Sequence, residues 1–203
     1  MSTCEHPSEM RQRTGRRDTR AARKRPQFKG ALNYVGLAGE FLVLAELALH
    51  RLDGTHTLGR TKEIDILVLN RRTGRTFKLE VKTTGKGVQR STLFGANVAW
   101  LMDERHGHLE ADDLIYCFLL LGRERAQPRF FLVPSRDVAA YIRWNHQYFI
   151  DQVTRHRNPS SPIRVFRIPA DEPQREWIPA SWRDGRWQRW EGNWGIFGAT
   201  PTS

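Results

Sequence analysis

The chain has 203 residues, enough for one domain with its own core, and two distant cysteines, Cys4 and Cys117, which exclude a disulfide framework and a cysteine-built zinc site. Its longest apolar run, residues 114–122, is about half of what spans a bilayer, so a soluble, cytoplasmic protein is expected, with no membrane partner. Lys and Arg outnumber Asp and Glu by 33 to 22, and the net charge of +11 points to a polyanion such as nucleic acid rather than an acidic small molecule.

Residues 1–30 hold nine Lys and Arg against Glu5, Glu9 and Asp18, so +6 of the net charge lies there, among almost no apolar residues. This segment is expected to be a disordered basic leader, serving either as a solubilising tail or as an arm that contacts phosphates. Within it, Arg23–Pro26 has the composition of a short nuclear address.

Residues 31–50 place apolar side chains on nearly every helical row, the pattern of a helix packed on more than one side. Next come two strand-like runs, 62–70 and 76–84, joined by a basic turn containing Gly74, which together predict a hairpin. Residues 92–106 have helix-like spacing and are expected to cross one face of the sheet. Residues 113–121 and 129–134 read as two further strands, and 135–149 as a helix with Ser135 as its N-cap. The domain is therefore expected over 31–150. Beyond it, 151–203 is an extension rich in Arg, Pro and Trp that carries Trp177, Trp182, Trp187, Trp190 and Trp194. Those rings suit either base stacking or anchoring of the extension onto the domain.

The hairpin carries acids where buried strands normally have none. With the turn near Arg72–Gly74, Asp65 faces Glu80, Val81 or Lys82 across the ladder, and the alternation of side chains puts Glu80 and Lys82 on one face and Leu79 and Val81 on the other. Two carboxylates that close repel unless a proton or cation separates them, and Mg²⁺ suits hard oxygen ligands of this kind. Lys82 beside a metal can orient a water or stabilise charge on a phosphate; alternatively, the three groups form a structural ion cluster. Glu40 interrupts the apolar stripe of the first helix and needs a partner. Past the lysine, Thr84, Lys86, Gln89 and Arg90 lie where a glycine-bearing loop can approach a phosphate. His106 and His108, ahead of Glu110, Asp112 and Asp113, are set aside as a polar loop that needs no metal to explain it.

Glu40 on a helix, then "EID" with Asp65, then "LEVKTT" with Glu80 and Lys82, resembles the PD-(D/E)xK nuclease superfamily, the restriction-endonuclease-like fold that includes archaeal Holliday-junction resolvases. The resemblance covers roughly residues 31–146, with Ile64 where the family name has proline. It implies an α/β fold with a mixed-sheet α-β-β-β-α-β core, provided a short strand lies near residues 55–59. Asp65 and Glu80 would bind Mg²⁺, or Mn²⁺ in its place, with Lys82 serving the nucleophile and Glu40 assisting as a further metal-binding residue that reaches the cation directly or through water. The implied activity is metal-dependent cleavage of nucleic acid, DNA above all, and cutting both strands would call for a homodimer. Two other readings stay open: the same fold as an inactive module that binds nucleic acid or protein, and an interaction subunit docking through its tryptophans.

Overall fold

The computed structural model describes residues 31–57, 64–122, 127–152, 161–170 and 177–198. The basic leader 1–30, including Arg23–Pro26, lies outside the described residues. In chain order the elements are helix α1 (Ala31–Leu49), strands β1 (Asp53–His56), β2 (Ile66–Asn70), β3 (Arg75–Thr84), β4 (Gln89–Ser91) and β5 (Gly95–Asp103), a 3-10 turn (Glu104–Gly107), β6 (Leu114–Leu120), β7 (Arg129–Pro134), helix α2 (Ser135–Gln152) and β8 (Ile163–Pro169). Three short 3-10 turns follow, Ala180–Trp182, Arg186–Trp190 and Trp194–Phe197. The architecture is mixed α/β. No helix among the described residues is long and apolar enough to cross a membrane.

Five strands form one sheet in the order β1-β2-β3-β6-β7, parallel only between β3 and β6, and β4-β5-β8 form a second, antiparallel sheet. The hairpin of β2 and β3 turns at Gly74, whose φ of 69° is the left-handed conformation that glycine adopts without a Cβ clash. Beside the turn, the Asn70 side chain accepts the Arg72 and Thr73 amides and donates to the carbonyls of Phe197 and Gly198, tying the end of the described chain to the hairpin.

A parallel β3–β6 pair requires a crossover, and this is where the expected architecture needs correction. The helix expected over 92–106 is absent, so the anticipated α-β-β-β-α-β order loses its second helix; β4, β5 and the 3-10 turn make the crossing instead. Ala96, Val98, Trp100 and Met102 are buried while Leu101 is open, a period of two that fits a strand. Adding Leu93 and Phe94 to that run produces the helix-like spacing. The extension supplies the partner that fixes the outcome, because β8 pairs with β5 from Asn97↔Pro169 to Asp103↔Ile163.

Side-chain alternation on β3 and β6 divides the core in two. Leu79, Val81, Ile115, Cys117 and Leu119 face α1 through Val43 and Leu47, and Trp194 and Phe197 join this layer. Tyr116 and Phe118 face the other way, toward β5, β8, α2 and the tryptophans at 177, 182, 187 and 190. All seven residues of β6 are buried, as a strand covered on both faces should be. Two expectations about the helices change. α1 packs mainly through one face, leaving Tyr34 at 74% exposure and Phe41 at 57%. Ser135 is the first residue of α2 rather than its cap: β7 runs straight into the helix, and the serine hydroxyl instead accepts the Ala111 amide and donates to the Ala111 carbonyl.

The approach of α1 to β3 is set by Gly39. A Cβ there would lie 1.9 Å from Thr83 Oγ1 and 2.9 Å from Thr83 Cβ. Gly39→Ala is therefore expected to destabilise the protein by about 2 kcal/mol through overpacking, even though alanine is favoured over glycine in a helix by about 1 kcal/mol. Urea unfolding midpoints check this, and a stabilised variant would mean that the helix can stand off the sheet at no cost.

Candidate active site

The ladder between β2 and β3 begins at the Ile66–Leu79 pair, which brings Asp65 next to Glu80. Asp65 sits in a bend just ahead of β2. Its amide donates to the Leu79 carbonyl (3.0 Å), its carbonyl accepts the Thr57 amide (2.9 Å), and its carboxylate Oδ2 accepts the Val81 amide (2.7 Å). A side-chain oxygen thus takes the amide of β3 where the regular ladder stops, and the Asp65 carboxylate is pinned beside Glu80.

Glu80 pairs in register with Tyr116 and Lys82 with Phe118, so both project from the face opposite α1. Glu80 is only 2% exposed. Lys82 Nζ lies 2.5 Å from its Oε1, and Lys82, a quarter exposed, reaches from that buried carboxylate toward solvent. Burial holds the Glu80 carboxyl above its ordinary pKa; the Lys82 ammonium opposes the shift and the Asp65 charge adds to it. Glu80 Oε2 is buried and meets no donor with hydrogen-bond geometry among the described residues, although the Tyr116 hydroxyl lies close enough for Glu80 to add to its raised pKa.

Two further groups join the cluster, and the Arg105 charge acts on them and on Glu80. His106, from the 3-10 turn after β5, is 1% exposed; its Nδ1 is 2.9 Å from the Tyr116 hydroxyl and its Nε2 is 3.7 Å from both Glu80 Oε1 and Asp103 Oδ2. Burial and then the Lys82 charge pull its pKa down to about 4, while burial and then Glu80 push the Tyr116 hydroxyl up. Both are neutral at pH 7. The tautomer with its proton on Nε2 turns that N–H toward the two carboxylates and lets Nδ1 accept from the tyrosine. Neither residue stands out in the sequence, where 92–106 has helix-like spacing and His106 borders a polar, acidic stretch. A lone tyrosine in the apolar run of β6 was the available signal, because a buried hydroxyl needs a partner.

Because the folded pKa of His106 lies below its ordinary value of 6.5, the neutral imidazole contributes stability that is complete above pH 6.5 and is lost as the pH falls toward 4. Wild type is expected to lose roughly 3 kcal/mol more than His106→Asn over that window, read from urea midpoints at constant ionic strength. Equal losses in the two proteins would contradict a buried neutral histidine.

Asp65, Glu80 and Lys82 are brought together; Glu40 is engaged elsewhere. Its Oε2 lies 2.5 Å from His56 Nε2, at the same end of the sheet but on the α1 side, where Phe41 stacks on the His56 ring. Of the residues expected to meet phosphate, Lys86, Gln89 and Arg90 are exposed. Thr84 needs correction, being buried at the end of β3 with its hydroxyl accepting the Lys86 amide (3.2 Å). Farther along, Glu110 pairs with Arg143 and Asp113 with Lys78.

No three His, Cys, Asp or Glu side chains among the described residues are grouped to hold a metal ion. The donor set is smaller: one carboxylate from the bend before β2 and one from β3, the latter with a buried oxygen that meets no donor among the described residues. That set fits Mg²⁺, which is commonly held by one or two carboxylates and completed by water and substrate phosphate. Comparison of the chain with protein-family models, curated proteins and solved structures finds no match.

Proposed function

We propose that this protein is a metal-dependent endonuclease acting on DNA, built on a variant of the restriction-endonuclease-like core in which strands replace the second helix. The observation that carries the reading is the buried Glu80 carboxylate, whose Oε2 meets no donor with hydrogen-bond geometry among the described residues, beside Asp65 and Lys82 at the point where the β2–β3 ladder ends. A buried carboxylate oxygen without a donor is costly, and a cation shared with Asp65 would satisfy it. Mg²⁺ bound there would supply Lewis-acid polarisation of the scissile phosphodiester. Asp65 and Glu80 would hold it. Lys82, already oriented by Glu80, would bind a phosphate oxygen or align the attacking water. Neutral His106 and the Tyr116 hydroxyl would keep the Glu80 side chain in place. Lys86, Gln89 and Arg90, exposed beyond β3, add polar and positive surface for the backbone of the substrate.

The test is incubation of the purified protein with supercoiled, linear duplex and single-stranded DNA and with RNA, in Mg²⁺ or Mn²⁺ and in EDTA. Cleavage that EDTA abolishes is expected. A second reading, an inactive module that binds nucleic acid, is favoured by one observation: Lys82 and Glu80 already form a closed ion pair. Binding without cleavage on every substrate would select it.

A further inference from the structure

The 3-10 turn that sends His106 into the core has a second side. Glu104 and His108 line a cavity of about 200 Å³, together with Arg143 and His146 of α2 and Arg164 of β8. Two guanidinium groups and two imidazoles line it with one carboxylate, Glu104, and a second carboxylate, Glu110, pairs with Arg143 beside the cavity. Arg164 is the buried member, with a side chain only 12% exposed. Its Nη1 donates to the carbonyls of Ser161 and Ile163, and the Glu104 carboxylate stands 3.8 Å from its Nη2, beyond hydrogen-bond distance. Arg143 is held at the cavity through Nη1, which donates to the Gly107 carbonyl (2.5 Å) and to Glu110 (2.7 Å). Two guanidiniums are therefore positioned by backbone carbonyls around a space whose own carboxylate is 61% exposed and only loosely engaged. Arg164 Nη2 has its carboxylate only at 3.8 Å, so an anion entering the cavity can take that group in a direct hydrogen bond. Its volume lies below the roughly 300 Å³ at which pockets begin to hold drug-sized ligands, and planar guanidinium groups match tetrahedral oxyanions.

We propose that this cavity is an anion site that takes a phosphate group, either free inorganic phosphate or a phosphate of a nucleic-acid backbone. The inference does not rest on the nuclease reading, because it predicts binding and requires no cleavage. The experiment is calorimetric titration of the full chain with inorganic phosphate at constant ionic strength, in parallel with fluorescence titration of a short DNA duplex in EDTA. Arg143→Gln and Arg164→Gln should each weaken phosphate binding by about tenfold or more, as loss of a charge-assisted hydrogen bond implies. Two exposed positions protect the test from misfolding of the arginine variants: His108→Ala should weaken binding, and Glu104→Gln, which deletes the cavity's carboxylate, should tighten it by roughly twofold or more. If the same variants change duplex affinity in the same sense and phosphate competes with the duplex, the backbone is the source; if duplex affinity is unmoved, free phosphate is. Absence of phosphate binding by wild type, or a Glu104→Gln variant that binds no more tightly, would overturn the proposal.

Discussion

Lys82→Ala and Glu80→Gln are both expected to abolish Mg²⁺-dependent cleavage, by about 10²-fold or more, while moving stability in opposite directions. The carboxylate of Glu80 is buried and its ordinary compensation is the Lys82 ammonium 2.5 Å away. Removing the lysine strands that charge, at a cost of about 3 kcal/mol, as for other broken buried pairs. Glu80 can respond by taking up a proton, and its pKa is already raised by burial, so the loss in Lys82→Ala should shrink as the pH is lowered. Glu80→Gln deletes the buried charge instead. It leaves a lysine that reaches solvent, so its stability at pH 7 should equal or exceed that of wild type. Asp65→Asn completes the set: it keeps an acceptor for the Val81 amide and removes the charge, so it should lose metal affinity, read by Mn²⁺ titration, with little change in melting temperature. Cleavage assays and urea unfolding on the same preparations separate the readings. The stability pattern without any wild-type cleavage would leave Glu80 and Lys82 as an ion pair in a binding module.

Trp182→Ala is expected to remove about 4 kcal/mol, a large share of the roughly 5–15 kcal/mol that holds a domain of this kind together. The Trp182 ring stacks on Tyr141 with centroids 4.6 Å apart and meets Trp190 edge-on at 4.9 Å, next to Phe166, which itself stacks on Phe118 at 4.0 Å. Truncation would open a cavity between α2, β8 and the 3-10 turns that those rings hold together. The same variant decides between the two roles open to the tryptophans. As an anchor, it lowers the melting temperature and leaves nucleic-acid affinity unchanged below the transition. A base-stacking residue would do the reverse, losing about 1–3 kcal/mol of single-strand affinity in a protein of normal stability. Since Trp177, Trp182, Trp187, Trp190 and Trp194 are all buried, the first outcome is expected.

What was legible in the sequence was local. α1, the hairpin turning at Gly74, β6, β7 and the start of α2 each follow from a period or a turn residue contained in the segment itself; the turn narrowed the position facing Asp65 to Glu80, Val81 or Lys82, and the Ile66–Leu79 pair decided for Glu80. Residues 92–106 failed because their apolar side chains satisfy two periods, and the choice belonged to β8, far along the chain, whose amides and carbonyls complete the β5 ladder. The candidate site divides in the same way. Asp65, Glu80 and Lys82 were readable because strand geometry alone brings them together. His106 and Tyr116 were not, since a polar side chain declares its partner only when separate elements close over it: the 3-10 turn after β5 delivers the histidine to a hydroxyl on β6 and a carboxylate on β3. Glu40 needed a partner by its place in an apolar stripe, and only the packing of α1 against β1 decided that the partner is His56. Local order along the chain comes from periodicity and turn chemistry, which act over a few residues. Burial, pKa and the pairing of buried polar groups come from contacts across the fold, where the low dielectric makes each unsatisfied group costly enough to select its neighbour.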